Sequence, residues 1–226
     1  MAPDGDRGAV HGERGTEHGD RLRFLAPLRR RAAGIDPVAA PDPVPEVDPV
    51  PAGEPLLARF VAAARAAGAT VTTTAGDAVP DGIVERWIRE HDVRRAVATA
   101  APEVRPVAEA FAAAGVAVAP PSIEAAAAAD LGITSASALV ASTGSLALRS
   151  DVDGRLASLL PPVHLCVAPA TRLVPTPGAV LRALGADDVP PGLVLITGTS
   201  RTGDIEQILT RRVHGPGTVL IVVTGA

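Results

Sequence analysis

Lysine and tyrosine are missing from these 226 residues, and cysteine occurs once, as Cys166. All 21 basic residues are arginine. Without lysine there is no Schiff-base nucleophile and no phosphate loop of the lysine-dependent kind. Without tyrosine there is no phenolic acid. One cysteine allows no intrachain disulfide and cannot by itself hold an iron–sulfur cluster or a cysteine-rich zinc site. Cys166 stands in the apolar stretch Val163–Ala168 and reads as a buried, inert thiol rather than a nucleophile. Aromatic residues make up 2% of the chain, so stacking platforms for single-stranded nucleic acid are lacking. A net charge of -4 argues against a nucleic-acid surface. No apolar run approaches the roughly 18 residues of a membrane-spanning helix. The opening stretch MAPDGDRGAVHGERGTEHGD has no apolar centre of a secretory signal. A cytoplasmic protein is expected.

What is present is 47% hydrophobic, enough for a core built from Ala, Val, Leu and Ile. Residues 1–20 are rich in glycine and charge and are expected to form a disordered tail. His11 and His18 lie in it and are not read as metal ligands. Residues 21–33 can form a short helix with Leu22, Leu25 and Leu28 on one face. Residues 34–53 form a proline-rich linker in which Asp-Pro-Val recurs at 36–38, 42–44 and 48–50. Such a segment favours extended polyproline geometry, as a spacer or a strap. Residues 54–226 are expected to be one α/β domain. Its first helix would place Leu57, Phe60, Val61 and Ala64 on one face. Strands are expected at 69–73, 95–99, 116–119, 145–148, 163–168, 193–197 and 218–223. Helices are expected at 82–90, 104–114, 122–129, 178–184 and 204–212, with Ser122 as a cap. Strands apolar throughout, alternating with helices, predict a largely parallel sheet with helices on both faces. In such sheets ligands bind beyond the carboxyl ends of the strands.

Two loops attract attention. In Ser142-Thr143-Gly144-Ser145 small residues interrupt an apolar segment and can leave backbone N–H groups free for a ligand. The second loop, Gly198–Asp204, leaves an expected strand and enters the expected helix 204–212. There the N–H groups of Ser200, Arg201 and Thr202, with the Arg201 guanidinium, can hold a carboxylate or phosphate. Alternatively Ser200 or Thr202 is simply an N-cap. Asp204 and Glu206 would either repel such an anion or fix the Arg201 fork. Both are weak catalytic candidates, as is His164, although a lone strand histidine is more often structural. Arg155 follows Asp151 and Asp153 in an expected loop and either neutralises them or meets a ligand. Arg172 is a further possible anion contact, and His214 sits in a turn. No metal-ligand spacing and no Ser-His-Asp pattern rises above chance.

The segments DLGIT at 130–134, STGSLAL at 142–148, GRLASLLPPVHLCVAPATRLVPT at 154–176 and TGTSRTGDIEQILTRRVHGPG at 197–217 resemble the LUD-domain family, especially its lactate-utilisation branch. The resemblance implies a fold like the NagB/RpiA/CoA-transferase group. It also implies a role in oxidising L-lactate to pyruvate beside partner proteins that carry iron–sulfur clusters, with no cofactor in this chain. Family members usually carry an acid just before the Thr-Gly-Ser turn, where this chain has Ser142. A hydroxyl with no evident base is a poor nucleophile, which argues against acyl-CoA transfer. Three readings stay open. One is a lactate-utilisation subunit that binds a small carboxylate or assists its partners. Another is an independent small-acid or sugar-phosphate enzyme of the CoA-transferase or isomerase kind, using Asp204 or Glu206 with Arg201. The third is a structural assembly subunit without a ligand.

Overall fold

The computed structural model describes residue 26 and residues 53–76, 79–80, 82–152, 155–184, 189–203, 209–211 and 215–226. The chain divides into two units, Met1–Glu46 and Val47–Ala226. In the first, Ala26 is helical, inside the helix expected at 21–33; the tail 1–20 and the linker up to residue 52 lie outside the described residues. All other described residues belong to the second unit.

That unit begins with α1 (Leu56–Ala66), whose alanine-rich sequence has high helix propensity. It buries Phe60 and Ala64, one turn apart. Strand β1 (Thr70–Thr73) follows, then α2 (Ile83–His91), which buries Ile83, Val84 and Trp87. Glu85 in its first turn and Arg89 and His91 in its last complement the helix dipole. The chain continues through β2 (Arg95–Ala98), α3 (Arg105–Ala113), β3 (Ala117–Ala119) and α4 (Ile123–Ala128). Ser122 caps α4 as expected, its Oγ accepting from Ala125 N at 3.0 Å. Next come β4 (Leu131–Thr134), β5 (Ala138–Val140), β6 (Ser145–Arg149), α5 (Arg155–Leu159) and β7 (Val163–Pro169). A 3-10 turn, Ala170–Arg172, leads to β8 (Leu173–Val174), α6 (Pro177–Ala183) and β9 (Leu193–Thr197). The described chain ends with β10 (Arg201–Gly203), β11 (Leu209–Arg211) and β12 (Thr218–Thr224).

Six strands form an all-parallel sheet in the order β1-β12-β7-β4-β2-β3. Alternation along β7 divides the core. Val163, Leu165 and Val167 pack with the buried faces of α2 and α3. Cys166 and Ala168 point the other way, into a cluster with Phe60 and Ala64 of α1 and Leu139, Leu146 and Leu148 of β5 and β6. Helices therefore flank the parallel sheet, as the apolar strands predict. β5 and β6 belong to a second, four-stranded sheet, β8-β5-β6-β9, in which only β5 and β8 are parallel. β10 and β11 form an antiparallel pair.

Three expectations change. Residues 209–211 are a strand paired with β10, so the helix expected at 204–212 does not extend through them. β9 is not an interior parallel strand. It is the antiparallel edge of the smaller sheet, with Val194 37% and Leu195 42% exposed. Arg155 heads α5 rather than lying in a loop. The short strand β4, wholly buried at the centre of the parallel sheet, has no counterpart in the sequence reading.

Candidate functional site

After β2 the chain moves outward to β3; after β4 it moves to the opposite side, towards β7. Such a reversal opens a crevice between the carboxyl ends of the two strands. Glu103 follows β2, Ser135 follows β4, and Arg172 follows β7. The three side chains meet there. Ser135 Oγ donates to Glu103 Oε1 at 2.5 Å. Arg172 Nη1 donates to Ser135 Oγ and to Ala136 O, each at 2.7 Å. The same nitrogen forms an ion pair with Glu103. Burial raises the Glu103 pKa, but the bonds from Ser135 and its own backbone N–H, with the Arg172 charge, outweigh that and hold it below its ordinary 4.5. Glu103 is thus ionised at neutral pH.

The group borders a cleft of about 390 Å³ lined by Ala100, Ala101, Pro102, Val152, Asp151 and both charged residues. Asp151 is paired with Arg149 at 2.9 Å. Glu103 and Pro102 also line a second cleft of about 360 Å³ with Pro106, Pro169 and Thr224. Just before Ala100, the Thr99 hydroxyl is buried without a hydrogen-bond partner among the described residues.

The Ser142–Ser145 turn is placed differently from the expectation. It closes the β5–β6 hairpin, and two of its amides are bonded, Ser142 N to Pro175 O and Gly144 N to Val140 O, while Ala141 N just before it donates to Val174 O. Gly144 has φ +65°, and a Cβ there would lie 2.1 Å from Ala64 N. Gly198 repeats this with φ +65° and a clash at 2.0 Å with Ala67 O. Both glycines let the smaller sheet meet the backbone of α1 and its C-terminal flank. The hydroxyls form a chain through the buried Ser145, from Thr143 Oγ1 to Ser145 Oγ at 2.6 Å and on to Thr197 Oγ1 at 2.7 Å, with Thr143 and Thr197 exposed. Ser142 Oγ is buried without a partner among the described residues.

In the second loop, Ser200 N is bonded to Pro216 O at 3.1 Å. Arg201 and Thr202 stand in β10, so no helix N-terminus follows Ser200. Asp204, Glu206 and His214 lie outside the described residues. Arg155 and Ser200 do share a cleft of about 450 Å³, with Ser158, Leu159 and Gly198. Pro216 and Val219 place it where β12 begins, at the opposite end of the parallel strands from the Glu103 crevice. His164 is fully buried in β7; its Nε2 meets Thr134 Oγ1 at 2.8 Å, and Nδ1 has no partner among the described residues. Desolvation lowers its pKa to about 4, so the ring is neutral at pH 7. Among the expected contacts whose side chains are described, Arg172 alone joins the crevice. Glu103 and Ser135 were not singled out as site residues, although a lone acid just beyond the expected strand 95–99 was a usable signal.

The profile of the LUD domain matches residues 57–224. The chain belongs to the LUD domain family. Lactate utilization protein C of Halalkalibacterium halodurans is 37% identical over 100 residues, 42% of this chain and 44% of that protein. Lactate utilization protein C of Deinococcus radiodurans is 34% identical over 101 residues, 43% of this chain and 47% of that protein. These matches span less than half the length of either relative. The crystal structure of a DUF162 family protein from Deinococcus radiodurans aligns with a TM-score of 0.55 at 22% identity, covering 75% of this chain and 96% of that one. That likeness establishes the fold of this LUD domain. Among its described residues no helix is long and apolar enough to cross a membrane. No group of three or more His, Cys, Asp or Glu that could hold a metal ion occurs among them.

Proposed function

We propose that this LUD domain serves lactate utilisation by holding a small carboxylate in the crevice between β2 and β4. On this reading electron transfer belongs to partner proteins carrying iron–sulfur clusters, because the chain's one cysteine is buried in β7. The observation that carries the reading is Arg172. A guanidinium presents five N–H donors and suits a carboxylate bidentately. Among the described residues its contacts all fall on Nη1, and the side chain is 34% exposed. A cleft of about 390 Å³ admits an acid of a few heavy atoms. The names of the relatives make L-lactate the first acid to try. The sheet with helices on both faces also supports kinship with the NagB/RpiA/CoA-transferase group.

Calorimetric titration with L-lactate tests this. Arg172→Ala is expected to weaken binding by roughly 1.5–3 kcal/mol, the scale of a charge-assisted hydrogen bond. Unchanged affinity in that variant would remove the crevice from consideration. Assay of L-lactate oxidation by co-purified partner proteins, with and without this chain, tests the cellular role.

A second reading, an assembly subunit without a ligand, draws on the exposed Val194 and Leu195 in the edge strand β9. It predicts that partners require the chain while titration shows no heat of lactate binding.

A further inference from the structure

We infer that Glu103 makes the crevice selective for 2-hydroxy monocarboxylates over the corresponding 2-oxo acids. The inference rests on the carboxylate reading above and concerns the atom next to the carboxylate. An acid held on the exposed part of the Arg172 fork carries its C2 substituent on the carbon next to the bound group. Glu103 contacts the same guanidinium and lines the same cleft, so in this pose the substituent lies beside it. An ionised carboxylate can only accept hydrogen bonds. A 2-hydroxyl donates its proton to Glu103. A keto oxygen has no proton to give and meets a negative oxygen instead.

Apart from Arg172, which holds the carboxylate, none of the described side chains lining the cleft donates a hydrogen bond. The Ser135 hydroxyl proton is already directed at Glu103, and its oxygen accepts from Arg172. It cannot donate to a keto oxygen without giving up the Glu103 bond. Asp151, the other acid of the cleft, is held by Arg149 and also offers only acceptors. It further disfavours a second carboxylate on the ligand. Ala100, Ala101 and Val152 supply an apolar wall for a short alkyl group. A site built to receive a hydroxyl rejects the analogue lacking it more strongly than an apolar pocket rejects a change of size, because its polar group is left unpaired.

Titration of the full chain with three acids tests this: L-lactate, pyruvate and 2-fluoropropionate, whose fluorine is close to a hydroxyl in size but lacks the donor proton. L-lactate is expected to bind at least about tenfold more tightly than either of the others. In Glu103→Gln the amide can donate to a keto oxygen, so the lactate-to-pyruvate ratio should shrink towards unity. Arg172→Ala should weaken lactate and pyruvate alike and leave the ratio in place. Equal binding of the three acids by the unaltered chain overturns the selectivity and leaves the carboxylate site standing. Binding of none of them overturns the carboxylate site and the selectivity together. The three-acid comparison needs no substitution, so it decides the question even if Glu103→Gln fails to fold.

Discussion

His164 carries a consequence for acid stability. It is buried in the middle of β7 with one ring nitrogen bonded to Thr134, and its pKa falls from 6.5 to about 4 on folding. A depressed histidine binds protons more readily in the unfolded chain, so stability rises with pH through this window and is lost as pH falls from 6.5 towards 4. The shift corresponds to roughly 3 kcal/mol. Denaturant unfolding at pH 7, 6, 5 and 4 should show that loss in the unaltered chain and a flatter profile in His164→Gln. Parallel profiles would assign the acid sensitivity to other groups. Glu103 acts lower on the scale: its depressed pKa stabilises the fold above 4.5, and that contribution fades as pH drops through the folded value. At this scale sequence and structure agree where a residue's role is local. Ser122 was legible as a cap because its acceptor and its donor are three residues apart. The Glu103–Arg172 pair was not, because only the parallel order of β2, β4 and β7 brings it together.

The elements α1 and the β5–β6 hairpin depend on glycine for their approach. Gly144 and Gly198 combine a positive φ with the absence of room for a Cβ, whereas Gly115 has φ +90° and nothing within 4 Å. Gly115→Ala should therefore cost about 1–2 kcal/mol, the left-handed conformation alone. Gly144→Ala and Gly198→Ala should each cost about 1–3 kcal/mol more through overpacking against α1. Thermal unfolding of the three variants measures the difference, and equal losses would show that α1 yields at no cost. The Thr-Gly-Ser turn was conspicuous in the sequence because glycine beside hydroxyls departs from an apolar run. Whether that departure serves a ligand or a neighbouring backbone depends on what lies above it, and α1 lies above it. The strand at 209–211 shows the same dependence. A helical pattern was readable there, yet pairing with β10 decides the local state.

For the whole molecule, the family match begins at residue 57 and the second unit at Val47. A chain starting at Glu54 is expected to keep a single cooperative thermal transition, since the core clusters draw on described residues from Leu56 onward. Calorimetry would show a broadened or absent transition if residues 1–53 contribute to that core. Composition and periodicity by themselves determined the α/β class, the flanked parallel sheet, α1 to α4 and the strands β7 and β12. Each of these follows from apolar spacing or apolar runs within a few residues. Composition likewise determined that this chain alone cannot ligate a cluster through cysteine. The tertiary structure decided which polar residues share a crevice, which glycines face a helix, and that β9 forms an edge. Those outcomes rest on strand order, and strand order is set by contacts between residues far apart in the chain, which no local pattern encodes.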